Sequence, residues 1–343
     1  MKRFLVKLVL GSFLWPFAQV LSRLLVCLSA TPQLLYRLSH SDVIAQLCGR
    51  NLFRAPWASD VRLEGKTVLI TGANTGIGKE AAADLATRGA KVIMACRDME
   101  KAQVAIKEVK DRSLNENVVC MKLDLADTKS IREFAQAINE GESKLNILIN
   151  NAGVMVCPYS KTADGFEMQI GVNHMGHFLL TYLLLDLLKR SSPARIVTVS
   201  SMAHSWGSIN LDDINSERAY DKNKAYAQSK LANVLFTRSL AKRLQGTGVT
   251  AYSLHPGVVQ TDLWRHLNGP QRFVMKIVSP FTKTSAQGAR TTIYCAVEPA
   301  LDQESGGYYS DCAAANCSAA GKDDELAQKL WELSCRMLNI TWD

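Results

Sequence analysis

Lys66-Thr-Val-Leu-Ile-Thr71, running into Gly72-Ala73-Asn74-Thr75-Gly76-Ile77-Gly78, decides the fold. A short apolar run rich in β-branched residues and bounded by glycine reads as a strand buried on both faces. A helical pattern follows from about Ile77 to Arg88. Glycines at this spacing permit a tight turn and let the backbone approach a pyrophosphate. The helix that starts there aims its free N–H groups at the same place. A glycine-rich turn alone can be purely structural; between a strand and an amphipathic helix it becomes a candidate dinucleotide seat.

From 66 to 256 short apolar runs alternate with longer helical patterns, the signature of successive βαβ units and a parallel sheet. The 343 residues are 47% hydrophobic, enough for one large domain with a full core. Net charge is +8. That permits an anionic cofactor or membrane surface, but Lys and Arg are scattered with no long basic run, so no nucleic-acid partner is expected. The nine cysteines are odd in number and irregularly spaced, as reduced core thiols would be. His174 and His177 have no third ligand nearby in sequence, and no metal is expected.

Residues 1–60 read as a hydrophobic membrane anchor and linker, and 61–343 as a single catalytic domain. The uncharged runs Leu8–Ser22 and Leu24–Tyr36 are separated by Arg23, and each is shorter than the ~20 residues of a spanning helix. Pro16 and Pro32 also break the helical register. A spanning anchor over Phe4–Leu28, an interfacial pair of helices and a cleaved signal peptide are the three readings. Basic residues flank both sides (Lys2, Arg3 and Lys7; Arg37, Arg50 and Arg54), so orientation stays open.

The second strand, Lys91–Ala95, ends in Cys96-Arg97-Asp98. A carboxylate at this strand end suits the ribose 2′-OH of NAD, and a cation suits the 2′-phosphate of NADP. Asp98 reads as the N-cap of a helix from Met99. Arg97 is then left for a phosphate, with Lys101 or Lys79 as helpers, which favours NADP(H). Strand Val118–Leu123 ends in Asp124-Leu125, at an adenine edge or as a helix cap. Strand Asn146–Ile149 ends in Asn150-Asn151-Ala152-Gly153, which can lock neighbouring strands and pass close to a ribose.

Farther on, Tyr226-Ala-Gln-Ser-Lys230 puts a phenol and an ammonium one helical turn apart on one face. The ammonium should favour the phenolate and lower the Tyr226 pKa, giving a group that exchanges a proton with a carbonyl or alcohol near neutral pH. Strand Arg195–Ser200 leads to Ser201. Its last two hydroxyls, on Ser200 and Ser201, point to opposite faces, and either one can be the hydroxyl that meets a substrate.

Thr71-Gly-Ala-Asn-Thr-Gly-Ile-Gly78, Asn150-Asn-Ala-Gly153, Ser201, Tyr226-x-x-x-Lys230 and Pro256-Gly257 together resemble the short-chain dehydrogenases/reductases over about Leu63 to Tyr309. Ala95-Cys-Arg-Asp98, Asp164-Gly-Phe-Glu-Met168, Gly171-Val-Asn-His174 and His255-Pro-Gly257 look like the microsomal retinol dehydrogenases, particularly the retinol dehydrogenase 11/12 branch. The resemblance implies a Rossmann-type, doubly wound, mainly parallel seven-stranded sheet with helices on both faces. It also implies NADPH-dependent interconversion of retinal and retinol at the endoplasmic reticulum membrane, with steroids or lipid-peroxidation aldehydes as alternative substrates. A non-catalytic NADP-binding scaffold is the rival reading. Favouring the cytosol for the catalytic domain rests on the thiols and the demand for NADPH.

By the same resemblance Tyr226 is the acid or base, Lys230 tunes it and holds the nicotinamide ribose, and Ser201 orients the substrate carbonyl. Asn173 helps hold a water that links Lys230 to solvent. Gly72–Gly78, Arg97, Asp124, Leu125, Asn151, Ala152, Gly153, Tyr226, Lys230, Pro256, Gly257, Val259 and Thr261 make up the cofactor site. Ser201 to Tyr226 exceeds the family's commonest interval because 204–222 forms an insertion. Residues 262–285 read as a mobile apolar lid or a second membrane-facing surface. The long apolar helix Asp164–Lys189 reads as core or as the interface of a homodimer.

Overall fold

A computed structural model describes residues 57–259 and 282–342. The expected anchor up to Pro56, Thr261 and the lid from 262 to 281 lie outside the described residues. Strand β1 (Thr67–Thr71) is buried at all five positions. Strand alternation sends Leu69 into the core on one face of the sheet, and Val68 and Ile70 into the core on the other. This explains its unbroken apolar run.

Around β1 stand β2 (Lys91–Cys96), β3 (Val118–Lys122), β4 (Ile147–Asn150), β5 (Ala194–Val199), β6 (Val249–His255), β7 (Tyr308–Ser310) and β8 (Ala313–Ala314). The order is β3-β2-β1-β4-β5-β6-β7-β8, parallel as far as β7. The expectation of seven strands is corrected to eight among the described residues: β8 turns back antiparallel on β7, pairing Tyr309 with Ala314 and Ser310 with Ala313. Asp311 and Cys312 carry φ of 52° and 55°. Two consecutive left-handed residues are what a two-residue hairpin turn demands.

Helices α1 (Gly76–Thr87) and α2 (Met99–Ser113) cover one face, with α6 (Ser285–Val297) beside them. Helices α3 (Thr128–Gly141), α4 (Gly176–Arg190) and α5 (Lys222–Arg243) cover the other, with α7 (Asp324–Leu338) docked there through buried Trp331. Caps fall where the sequence signals them. The carboxylate of Asp98 accepts from the Lys101 N–H, and Thr284 and Gln287 form a reciprocal capping box for α6. Residues Thr284 and Ser285 therefore belong to α6 rather than to the lid, and Val259 bridges to Lys283. The helix expected from Asp164 begins at Met168 and passes through a π turn, Gly171–Met175, before α4. The apolar stripe of α4 is core: Phe178, Leu179, Leu180, Leu184 and Leu188 are buried within this chain.

The sheet reverses direction of growth between β1 and β4, and the carboxyl ends of such strands form the crevice where ligands sit in doubly wound folds. Among the described residues, the glycine turn after β1, Asn150–Gly153 after β4 and Ser201 after β5 lie at this edge.

Candidate active site

Where β1 ends, Gly72 has φ 65° and Gly76 φ 54°. A Cβ on Gly72 would meet the Ala152 backbone at 2.9 Å. One on Gly78 would meet the Gly72 carbonyl oxygen at 2.4 Å and Asn151 Nδ2 at 2.6 Å. The turn is thus locked against the β4 end and only glycine fits at these points. Asn151 Nδ2 donates to the Thr71 carbonyl at 2.8 Å. Thr71 Oγ1 accepts the N–H groups of Asn151 and Ala152, both at 2.9 Å. With its lone pairs so used, the Thr71 hydroxyl donates to His177 Nε2 at 2.8 Å, which leaves His177 Nδ1–H to donate to the Asn173 carbonyl at 3.1 Å.

These residues fit a dinucleotide. Thr75 is the N-cap residue of α1 but its side chain caps nothing, and the first turn holds no acid. Its N–H groups and positive dipole end remain available to a phosphate. Ala73 and Ile77 are buried, so they contribute backbone, while Asn74 is half-buried at the turn. At the β2 end, Lys79 pairs with Glu108 at 2.6 Å and Lys101 lies 3.6 Å from Asp98. Arg97 is exposed and pairs with no carboxylate among the described residues.

At the β3 end the Asp124 carboxylate accepts the Ala126 N–H at 3.0 Å, and Asp127, not Asp124, is the N-cap of α3. The Leu125 side chain belongs to the core. Gly257 has φ 95°, and the Lys283 side chain lies against it and donates to the Pro256 carbonyl at 3.4 Å and to Asp311. Val259 packs on Gly288 of α6.

Helix α5 brings the reactive groups together. Its N-cap Asp221 accepts from the Asn223 and Lys224 N–H groups. Most of its residues are buried, so Tyr226 and Lys230 are held within the fold rather than on a surface helix. Lys230 Nζ lies 5.8 Å from the centre of the Tyr226 ring and donates to the Val199 carbonyl at 3.2 Å. Asn233 Nδ2 donates to the same carbonyl at 3.2 Å. Ser201 hydrogen-bonds the Tyr226 phenol. Its Oγ also accepts the Ala203 N–H at 3.1 Å, which turns its own proton toward the phenol and the oxygen of a substrate beside it. Ser200 faces away and donates to the Lys230 carbonyl at 2.7 Å.

The electrostatics correct one expectation. Burial pushes the Tyr226 phenol up to about 12, opposed by the Ser201 hydrogen bond. Burial likewise lowers the Lys230 ammonium to about 8. Removal from water disfavours both charged forms, and it outweighs the attraction the spacing alone implied. Asn173 sits in the π turn: its Oδ1 accepts the Val154 N–H at 2.8 Å, and its Nδ2 donates to Val154 O and Ser229 Oγ, both at 2.9 Å.

Sequence reading missed the hub made by Thr71 and His177. It also missed His204, whose Nδ1–H donates to the Ser201 carbonyl at 2.7 Å and whose Nε2 accepts the Ser318 N–H at 3.0 Å. A threonine closing the strand before the glycine turn was the one available signal. The assembled group can pass a proton from a phenol to a serine-polarised oxygen of a substrate held beside a dinucleotide cradle.

The sequence profile of the short chain dehydrogenases matches residues 66–272, more than half of the chain. Human retinol dehydrogenase 12 is 55% identical over 285 residues, 83% of this chain and 90% of its own length. Among solved structures, an uncharacterized protein from Mycobacterium paratuberculosis matches with a TM-score of 0.70 at 38% identity, covering 84% of this chain and all of its own. An active-site complex of Pseudomonas aeruginosa RhlG with NADP matches with a TM-score of 0.59 at 25% identity, covering 74% and 96%. The chain belongs to the short-chain dehydrogenases: it is an oxidoreductase that acts on CH–OH groups with a nicotinamide cofactor.

Proposed function

We propose that this protein is a membrane-associated, NADP(H)-dependent enzyme that interconverts retinal and retinol. The observation that carries the reaction type is the convergence of Ser201, Tyr226 and Lys230 beside the glycine turn. Arg97, an exposed cation at the β2 end with no ion pair among the described residues, supports a 2′-phosphate and hence NADP over NAD. Support for the retinoid comes from the 55% identity to human retinol dehydrogenase 12 over most of both chains.

When bound in this cradle, a reduced nicotinamide would supply hydride to the carbonyl carbon. Tyr226 gives its proton to the developing alkoxide and takes it back in the oxidative direction. The Ser201 hydroxyl donates to the carbonyl oxygen, where it is worth most as charge builds. Lys230 holds the cofactor ribose, and Asn173 fixes the site wall behind Lys230 and helps hold a water that links Lys230 to solvent. Gly72 to Gly78, with Asp124, Leu125, Asn151 to Gly153, Pro256, Gly257, Val259 and Thr261, cradle the rest of the dinucleotide.

The apolar N-terminal residues attach the enzyme to the endoplasmic reticulum membrane with the domain in the cytosol. No described helix is long and apolar enough to cross a membrane, and the N-terminal 56 residues fall outside the described set. The sequons Asn316-Cys-Ser318 and Asn339-Ile-Thr341 test the orientation: both asparagines are exposed, so a lumenal domain would gain glycan and a cytosolic one would not. Light scattering on the purified protein tests for a homodimer. The deciding experiment is a panel of retinal, steroids and medium-chain aldehydes with NADPH and NADH. Retinal turnover with NADPH well ahead of NADH is expected; no turnover of any carbonyl would leave only a dinucleotide-binding scaffold.

A further inference from the structure

We infer that Gln169 and Tyr220 are positioning residues: they form a second amide bracket, beside the one made by Asn173, that sets the site wall Val154–Cys157 against Lys230. This rests on the oxidoreductase reading of the site. Gln169 and Asn173 lie four residues apart, about one turn along the same helical stretch. Asn173 Oδ1 takes the Val154 N–H, and Gln169 Oε1 takes the Val156 N–H, each at 2.8 Å. Two amides thus hold alternate residues of one segment, much as a neighbouring strand would.

That segment starts beside the chemistry. A Cβ on Gly153 would lie 3.1 Å from Asn173 Oδ1 and 3.6 Å from Lys230 Nζ. Val156 has φ 53°, which a β-branched residue rarely adopts and which persists only where its surroundings impose it. The surroundings come largely from the insertion. Gln169 Nε2 donates to Tyr220 Oη at 2.9 Å and to the Lys222 carbonyl at 2.8 Å. Tyr220 Oη donates to the Cys157 carbonyl at 2.8 Å.

Behind them, fully buried Glu167 accepts the Gln169 and Ile170 N–H groups, and its own N–H donates to Asn215 Oδ1 at 3.0 Å. Burial raises the Tyr220 phenol far above neutral, so it stays a donor. The insertion also grips the catalytic helix. Two residues beyond Tyr226, Gln228 accepts the Asn210 N–H at 2.9 Å and donates to the Ile214 carbonyl at 3.0 Å. Residues 204–222 therefore tie the Lys230 side of the site to the Tyr226 side. A length that only departs from the family's usual spacing becomes a strut.

The test uses the full chain with Gln169→Met and Tyr220→Phe. Glu217→Gln, which breaks only the exposed pair with Lys161, serves as control. Retinal turnover, NADPH affinity by fluorescence, the pH profile of kcat/KM and maleimide labelling of the buried Cys157, read by mass spectrometry, are measured together. The bracket predicts kcat lowered on the order of tenfold with NADPH affinity held within about twofold. It also predicts a shifted pH profile, as Lys230 loses its fixed neighbour, and faster labelling of Cys157. The control should match wild type throughout. If Gln169→Met fails to fold, Gln169→Glu keeps the acceptor for Val156 and loses the donors, and should show the same changes more weakly. Folded variants with wild-type kcat, pH profile and Cys157 labelling would overturn the inference. A wild-type protein that reduces no carbonyl would instead sink the proposed reaction, while Cys157 labelling would still decide the bracket.

Discussion

At the scale of single residues, the phenol of Tyr226 is held protonated by burial up to about 12, and Ser201 is the neighbour that opposes this. A protonated phenol is the form that reduction requires, so Tyr226→Phe should abolish turnover in either direction while leaving NADPH binding within about twofold, since the residue acts on the reacting oxygen. Stopped-flow NADPH oxidation and a fluorescence titration read the two effects separately; a variant retaining most of its rate would remove Tyr226 from the chemistry. Oxidation of the alcohol needs the phenolate, so its rate should climb with pH above neutral while reduction does not. Arg97→Ala should weaken NADPH by roughly tenfold or more, as for a lost charged hydrogen bond of ~1.5–3 kcal/mol, and should leave NADH nearly unchanged. Equal loss for both coenzymes would place Arg97 elsewhere than the 2′-phosphate. Ser201, Tyr226 and Lys230 were legible because their order and spacing belong together. Thr71 and His177 were not, because a threonine ending a strand and a histidine on an apolar helix look like core until the fold lays one against the other.

Among the elements, β1, its glycine turn and α1 form the unit whose sequence said most. The unbroken apolar run could only be a strand covered on both faces, and both faces are covered. Gly78→Ala tests how tightly that unit is built. The added methyl would fall 2.4 Å from the Gly72 carbonyl oxygen and 2.6 Å from Asn151 Nδ2, and the first of these is backbone that cannot swing aside. A loss of about 1–3 kcal/mol, typical of overpacking, is expected in a denaturant melt, together with loss of dinucleotide binding. Stability and affinity both near wild type would show that the turn yields. Two elements escaped the sequence. The hairpin to β8 turns on Asp311-Cys312, which lacks the glycine that usually marks such a turn. The π turn at Gly171–Met175 lies inside one continuous helical pattern, where five residues cannot separate a helical period of 3.6 from a slightly wider one. Yet that turn carries Asn173, so the least legible element is also the one that joins the glycine-turn hub to the catalytic helix.

On the scale of the whole molecule, the two histidines that sequence reading set aside as packing residues make the fold sensitive to acid. His174 and His177 are each 1% exposed, and burial lowers them to about 3 and about 4 from an ordinary 6.5. The His177 ring also disfavours charge on His174, while at His177 the Asn173 carbonyl favours the charged ring and the Lys230 ammonium disfavours it. His174 Nε2 meets Ser334 Oγ at 3.0 Å beside the rings of Phe178 and Phe236, so α4, α5 and α7 close over it without offering a carboxylate. A base kept neutral in the fold but free to protonate when unfolded gives stability that is complete above pH 6.5. That stability drains away as pH falls from 6.5 toward 4 and 3, because the unfolded chain then binds the extra protons. Between pH 7 and pH 5 each histidine should cost about 2 kcal/mol by this linkage. Together they should lower the melting temperature by on the order of 10 °C for a domain of this size. Buried carboxylates also respond to acid, so the variant His174→Gln isolates the histidine share. It should flatten the difference between pH 7 and pH 5 by about 2 kcal/mol, whatever its stability at pH 7. A His174→Gln protein that loses as much stability on acidification as the wild type would mean that His174 does not stay neutral in the fold.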